Sequence, residues 1–122
     1  MANPFVHVEL QTTDIKKARD FYSRLFDWKL EDGPEMPGFG TYTMIGVGEG
    51  TGGGMMASPQ PGVPSFWLSY VNVSDVASAT KKAKDLGAKV VVDSQPVADM
   101  GKFSIITDPT GAVLGLWQST RK

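Results

Sequence analysis

"HVELQTTDIKKARDFYSRLFDW" (residues 7–28) has a partner in "FWLSYVNVSDVASATKKAKDLGAKV" (residues 66–90). Laying Asp14 on Asp75, 61 positions later, brings Ile15 onto Val76, Ala18 onto Ala79, Tyr22 onto Ala83 and Leu25 onto Leu86. Those positions mark one face of an α-helix, because side chains three and four residues apart lie on the same side. The same helix is therefore written twice, and the chain reads as two copies of one supersecondary unit. Farther on, Glu49-Gly50-Thr51-Gly52 falls beside Asp108-Pro109-Thr110-Gly111 at an offset of 59, which would match Met56 with Gly115.

Each copy reads as strand, helix, then three strands. In the first, Val6 to Thr12 alternates as a half-buried strand does, and Thr13 or Asp14 can cap the helix that runs to about Phe26. Short strands follow over Trp28 to Leu30, Thr41 to Val47 and Gly53 to Ser58, with "EDGPEMPGFG" and "GEGTGG" as turns. The second copy predicts Phe66 to Val73, a helix from Asp75 to Leu86 stopped by Gly87, then Lys89 to Val92, Phe103 to Thr107 and Ala112 to Gln118. Three prolines in "SPQPGVP" (58–64) make a linker. The expectation is one α+β domain over residues 1–122, with module one at 4–58, linker 59–64 and module two at 65–118.

Alternation in the first strand sets Val6, Val8 and Leu10 against the helix and His7, Glu9 and Gln11 on the opposite face. A polar face there suits a cavity, and His7 is the sole histidine of the chain. Three readings of it stay open: metal ligand, catalytic or substrate-binding group, or structural histidine. Glu9 beside it could hold a charged imidazole or act as general base next to a carbonyl, or simply pair with a cation. Tyr42, Tyr70, Trp67 and Trp117 could wall a ligand or pack the core, and Trp67 should face the helix side. Met55 and Met56 could give an adaptable pocket or fill gaps.

Taken together, the two openings and the closing "GKFSIITDPTGAVLGLWQ" (101–118) resemble the vicinal oxygen chelate superfamily of glyoxalases, bleomycin-resistance proteins and extradiol dioxygenases. "TTD", "GGGMM" and "DPTGAVLGL" look like a glyoxalase-like subgroup without an assigned reaction. The resemblance implies two tandem βαβββ modules forming a cupped mixed sheet, usually a homodimer, with the site inside the cup. It also implies a divalent metal held from the first and last strands of the modules. His7 matches one ligand position, whereas Leu68 and Gly115 carry no donor and Met56 offers a thioether, a poor ligand for hard cations. The expectation is thus no metal cofactor, with a divalent ion as the alternative.

Other chemistries are poorly served. "GEGTGG" (48–53) fits G-x-G-x-x-G by letter, but "GMMASPQPG" after it cannot be the helix a dinucleotide site needs. The motif suits a tight hairpin or a close backbone approach. No G-x-S-x-G elbow accompanies the lone histidine, and with Cys at 0 there is no thiolate nucleophile. A net charge of -1 gives no field toward nucleic acid or anionic lipid, and the lysines and arginines of the helices lie near Asp20 and Asp85 as on ordinary solvated faces. No apolar run is long enough for a bilayer, and a cytoplasmic protein is expected.

The reading is a metal-independent small-molecule binder, its pocket lined by His7, Glu9, Gln11, Tyr42, Met56, Leu68, Tyr70 and Gly115. The alternatives are a lyase or isomerase in which His7 and Glu9 transfer a proton, and a purely structural or interaction module.

Overall fold

The computed structural model describes residues 2–36, 40–58 and 62–120. It divides into two compact units, His7–Leu68 and Met1–Val6 with Ser69–Lys122.

The first sequence copy carries β1 (Phe5–Thr12), α1 (Ile15–Leu25), β2 (Lys29–Met36), β3 (Gly40–Gly46) and β4 (Gly53–Ala57). Its strands lie in the order β2-β3-β4-β1, with β4 parallel to β1 and the other pairs antiparallel. The second carries β5 (Phe66–Asn72), α2 (Val76–Asp85), β6 (Lys89–Val97), β7 (Gly101–Thr107) and β8 (Val113–Ser119). Its order β6-β7-β8-β5, with β8 parallel to β5, is the same motif again. The doubled βαβββ reading is therefore correct.

Register corrects the internal alignment. Glu9 pairs with Gly54 and Tyr70 with Gly115, so the offset of 61 persists to the last strand and the counterpart of Gly115 is Gly54, not Met56. The drift to 59 followed two turns that look alike in sequence but are not equivalent in the fold. Met56 instead pairs with Gln11.

Both helices start as their sequences dictate. Asp14, rather than Thr13, accepts the amide of Lys17 at 3.0 Å, and Asp75 accepts that of Ser78 at 3.2 Å, each satisfying a free first-turn donor. The backbone amide of Ser78 holds the Asp75 carboxyl below its usual range, its side-chain hydroxyl adding to the effect.

The inner helix faces cover two apolar clusters. Leu10, Ile45 and Met55 are buried with Ile15, Ala18, Tyr22 and Trp28 packed on them. Val76, Ile106 and Leu116 form the counterpart with Ala79, Ala83 and Leu114. Burying one such side chain contributes about 1.5–3 kcal/mol, so each cluster anchors its helix. Leu25 and Leu86, the last of the expected stripe, are exposed because each sits where its helix ends.

Two strands exceed expectation. β2 continues through Glu31–Met36, which composition marked as turn, by slipping register between Asp32 and Glu35; Pro34 sits in that irregularity, where no ladder amide is required. β6 runs on to Val97 by the same device, with shifts between Val90 and Val92 and between Val92 and Gln95. Of the expected linker, residues 59–61 lie outside the described residues.

Candidate functional site

Pleating decides what β1 presents. Leu10 points into the cluster under α1, so His7, Glu9 and Gln11 stand on the opposite face. In parallel register β4 sets Gly54 beside Glu9 and Met56 beside Gln11 on that face. Tyr42 comes from β3, on the far side of β4.

Gly54 makes the reach possible. A Cβ at that position would fall 2.1 Å from Tyr42 Cε2 and 2.2 Å from its hydroxyl oxygen, so the ring lies directly over the glycine backbone. The phenol thus crosses β4 and ends between two side chains of β1. Its oxygen donates to Glu9 Oε1 at 2.9 Å and sits 2.6 Å from His7 Nε2. Gln11 Nε2 donates to the other carboxylate oxygen at 2.9 Å. Glu9, Gln11 and Tyr42 are all buried, at 6%, 6% and 8% exposure.

A phenol has one proton, and that fixes the polarity of the chain. While it goes to an ionised Glu9, the 2.6 Å contact requires Nε2–H of His7 to donate to Tyr42. If Glu9 takes up a proton it can donate to the phenol oxygen, and the phenol can turn its own proton to Nε2 only when the neutral ring carries its proton on Nδ1. His7, Tyr42 and Glu9 therefore form one hydrogen-bonded wire whose polarity follows the charge of Glu9 and the tautomer of His7.

Burial also pushes the His7 imidazole below its usual value of 6.5. The unfolded chain then binds the proton at higher pH than the folded one, so its contribution to stability is complete above about 6.5 and declines as pH falls through the lowered folded value. The melting temperature should drop as pH falls below about 6.5, and drop less in His7→Asn. Equal slopes for the two proteins, measured by thermal unfolding across pH, would remove His7 as the cause.

The second sequence copy is apolar at the matching positions. Leu68 and Tyr70, the counterparts of His7 and Glu9, are 1% and 4% exposed. Tyr70 lies over Gly115 as Tyr42 lies over Gly54: a Cβ on Gly115 would come 2.3 Å from Tyr70 Cδ2. It runs toward Phe103, which it meets edge-on at 6.1 Å. Trp117 covers Gly101.

Other expected site residues divide cleanly. The structure joins His7, Glu9, Gln11 and Tyr42 in one hydrogen-bonded set, with Met56 on the same face and Met55, 0% exposed, on the helix-side core. Trp67 packs on the helix side, 5.4 Å from Tyr22. Gly54 was missed, although its spacing of 61 from Gly115 was there to be read.

The residues do not fit the superfamily's metal. With the register corrected, the four positions hold His7, Gly54, Leu68 and Gly115, one donor among them. Nε2 of that donor is already engaged by Tyr42, and no three His, Asp or Glu side chains cluster among the described residues. Nor is any helix among them long and apolar enough to cross a membrane.

Known proteins agree with this architecture. A Bacillus halodurans C-125 protein, BH1468, superposes with a TM-score of 0.76 over 100% of this chain and 98% of its own, at 15% identity. Methylmalonyl-CoA epimerase from Mycobacterium tuberculosis follows at 0.72, covering 94% of this chain and 87% of that one, also at 15% identity. These likenesses fix the fold. By sequence, the Mycobacterium tuberculosis (strain CDC 1551 / Oshkosh) protein named "Putative glyoxylase CFP32" is 39% identical over 93% of this chain and 45% of its own length. "Anthracycline biosynthesis protein DnrV" of Streptomyces peucetius is 25% identical over 90% of this chain and again 45% of its own. The chain spans about half the length of these curated relatives. The model of the Glyoxalase/Bleomycin resistance protein/Dioxygenase superfamily matches residues 5–116, and the chain belongs to that superfamily.

Proposed function

We propose that this protein binds a small carbonyl compound against the His7–Glu9–Gln11 face and moves a proton on it, as an isomerase or lyase, without a metal ion. The observation that carries the reading is the buried wire from His7 Nε2 through the Tyr42 hydroxyl to Glu9. A carboxylate in such a wire can take a proton from carbon while its charge is redistributed, and can return it to another face or atom. Tyr42 ties that carboxylate to an imidazole that burial keeps neutral, so no imidazolium charge weakens Glu9 as a base. The metal-free form is supported by the donor set, which offers one ligand where the superfamily uses four.

Two relatives lend chemical context. A solved structure that shares this fold is named a methylmalonyl-CoA epimerase, and the M. tuberculosis relative carries a glyoxylase name.

A binding-only role is the second reading, favoured by one observation: both oxygens of Glu9 already accept protein donors. Hydrogen bonds to the ionised form make it a weaker base.

Native mass spectrometry of untagged protein against a metabolite extract, with elemental analysis of the same sample, tests the proposal. Expected is capture of a carbonyl-containing ligand that survives chelator treatment. About one zinc, nickel or iron per chain, or capture lost on chelation, would overturn the metal-free assignment.

A further inference from the structure

The opposite, α1-side face of the first unit has an unfilled hollow of about 260 Å³. Val8, Ile45 and Val47 form its floor with the Gly52–Gly53 backbone, and Trp28 and Trp67 form its walls. We propose that it is a second binding site, separate from the His7–Glu9 face, for a neutral, flat aromatic molecule of about two fused rings.

The duplication shows what is missing there. Gly53 pairs with Ile45, and at the matching place in the second unit Leu114 pairs with Ile106 and packs on the core. The first unit thus has no side chain at the register position where its twin has leucine. Gly53 is not free to grow a side chain, since a Cβ there would lie within 1.9 Å of the Val8 carbonyl oxygen. The "GEGTGG" stretch leads into β4, and its Thr51, Gly52 and Gly53 line the space.

The walls specify the occupant. Trp28 and Trp67 stand at 78° with centroids 6.2 Å apart, forming a corner. Tyr22 backs both rings and Phe26 backs Trp28, so the corner is held in place. A flat ring laid on one indole meets the other at its edge, the two favoured aromatic geometries at once. No ionisable side chain lines the hollow, which disfavours a charged ligand. Size follows from volume: an apolar cavity of about 150 Å³ takes benzene, so this one accommodates a second ring. Trp67, 39% exposed, stands at the mouth.

The test follows the indole N–H signals of the three tryptophans in ¹H–¹⁵N spectra of the full chain, titrated with 2-naphthol. Trp28 and Trp67 should shift saturably while Trp117, in the other unit, stays still. Naphthalene-2-sulfonate and cyclohexanol should each bind at least about tenfold more weakly, a difference of about 1.4 kcal/mol. Val47→Phe, which fills the hollow, should lose the 2-naphthol response with its melting temperature retained; Trp67→Leu should weaken it. Shifts confined to Trp117, no saturable shift, or equal binding of cyclohexanol would overturn the proposal. So would Trp28 and Trp67 signals that move on dilution of the protein alone, which would make the hollow a contact between copies.

Discussion

Glu9→Gln is expected to cut proton transfer by about 10²- to 10⁴-fold, the usual contribution of a positioned general base. The amide keeps the size of the carboxylate and still accepts one hydrogen bond, but it cannot take a proton from carbon. The loss should therefore fall on kcat with KM little changed. It can be measured directly, without knowing the physiological product, as exchange of a ligand's carbon-bound hydrogen for deuterium. A structural penalty comes with the change, because the amide NH₂ must face either Tyr42 or Gln11, each of which now donates to Glu9. One unmatched buried donor costs about 1–3 kcal/mol, visible as a lower melting temperature. Tyr42→Phe separates the two effects, since it cuts the wire to His7 while sparing the carboxylate. It should reduce exchange less than Glu9→Gln and should remove the dependence of exchange on His7. Exchange unaltered in Glu9→Gln would eliminate proton transfer and leave the binding-only reading.

Gly53→Ala should be the most damaging single methyl in the first unit. The new Cβ would sit 1.9 Å from the Val8 oxygen and 3.0 Å from its carbonyl carbon, so it meets backbone and no rotamer relieves it. Overpacking by flexible side chains costs about 1–3 kcal/mol; here β4 must part from β1 as well, along the parallel ladder that aligns Glu9 with Gly54. A loss of about 3 kcal/mol or more is expected, a fall in melting temperature of at least roughly 10 °C for a chain of this size. At Gly52 the nearest atom is the Ile45 oxygen at 3.0 Å, so Gly52→Ala should cost clearly less. Equal thermal unfolding of the two variants would show that the ladder yields easily and that register is held elsewhere.

The fold was legible because duplication is a strong signal: Asp14 and Asp75 cap equivalent helices, and the apolar stripes behind them meet equivalent clusters. Alternation along β1 was enough to separate Leu10 from His7, Glu9 and Gln11. The extensions of β2 and β6 were not legible, since a register slip lets proline and turn-forming residues continue a strand, and only the partner strand reveals the slip. The site was half legible. His7 and Glu9 share a face by simple counting, but their coupling depends on Tyr42, 33 residues from Glu9, crossing a strand that is bare on that face at Gly54. Absence of a side chain leaves little mark in a glycine-rich segment. The resemblance of two turns then pulled the alignment away from the one comparison, Gly54 with Gly115, that identifies it.

Gly54 and Gly115 occupy one inherited place, and each is roofed by a tyrosine arriving from a different strand. In one half the phenol travels toward the opening strand and finishes on a carboxylate; in the other it leaves that strand and finishes on a phenylalanine. Two bare positions of the doubled sheet thus serve as gaps through which neighbouring strands communicate.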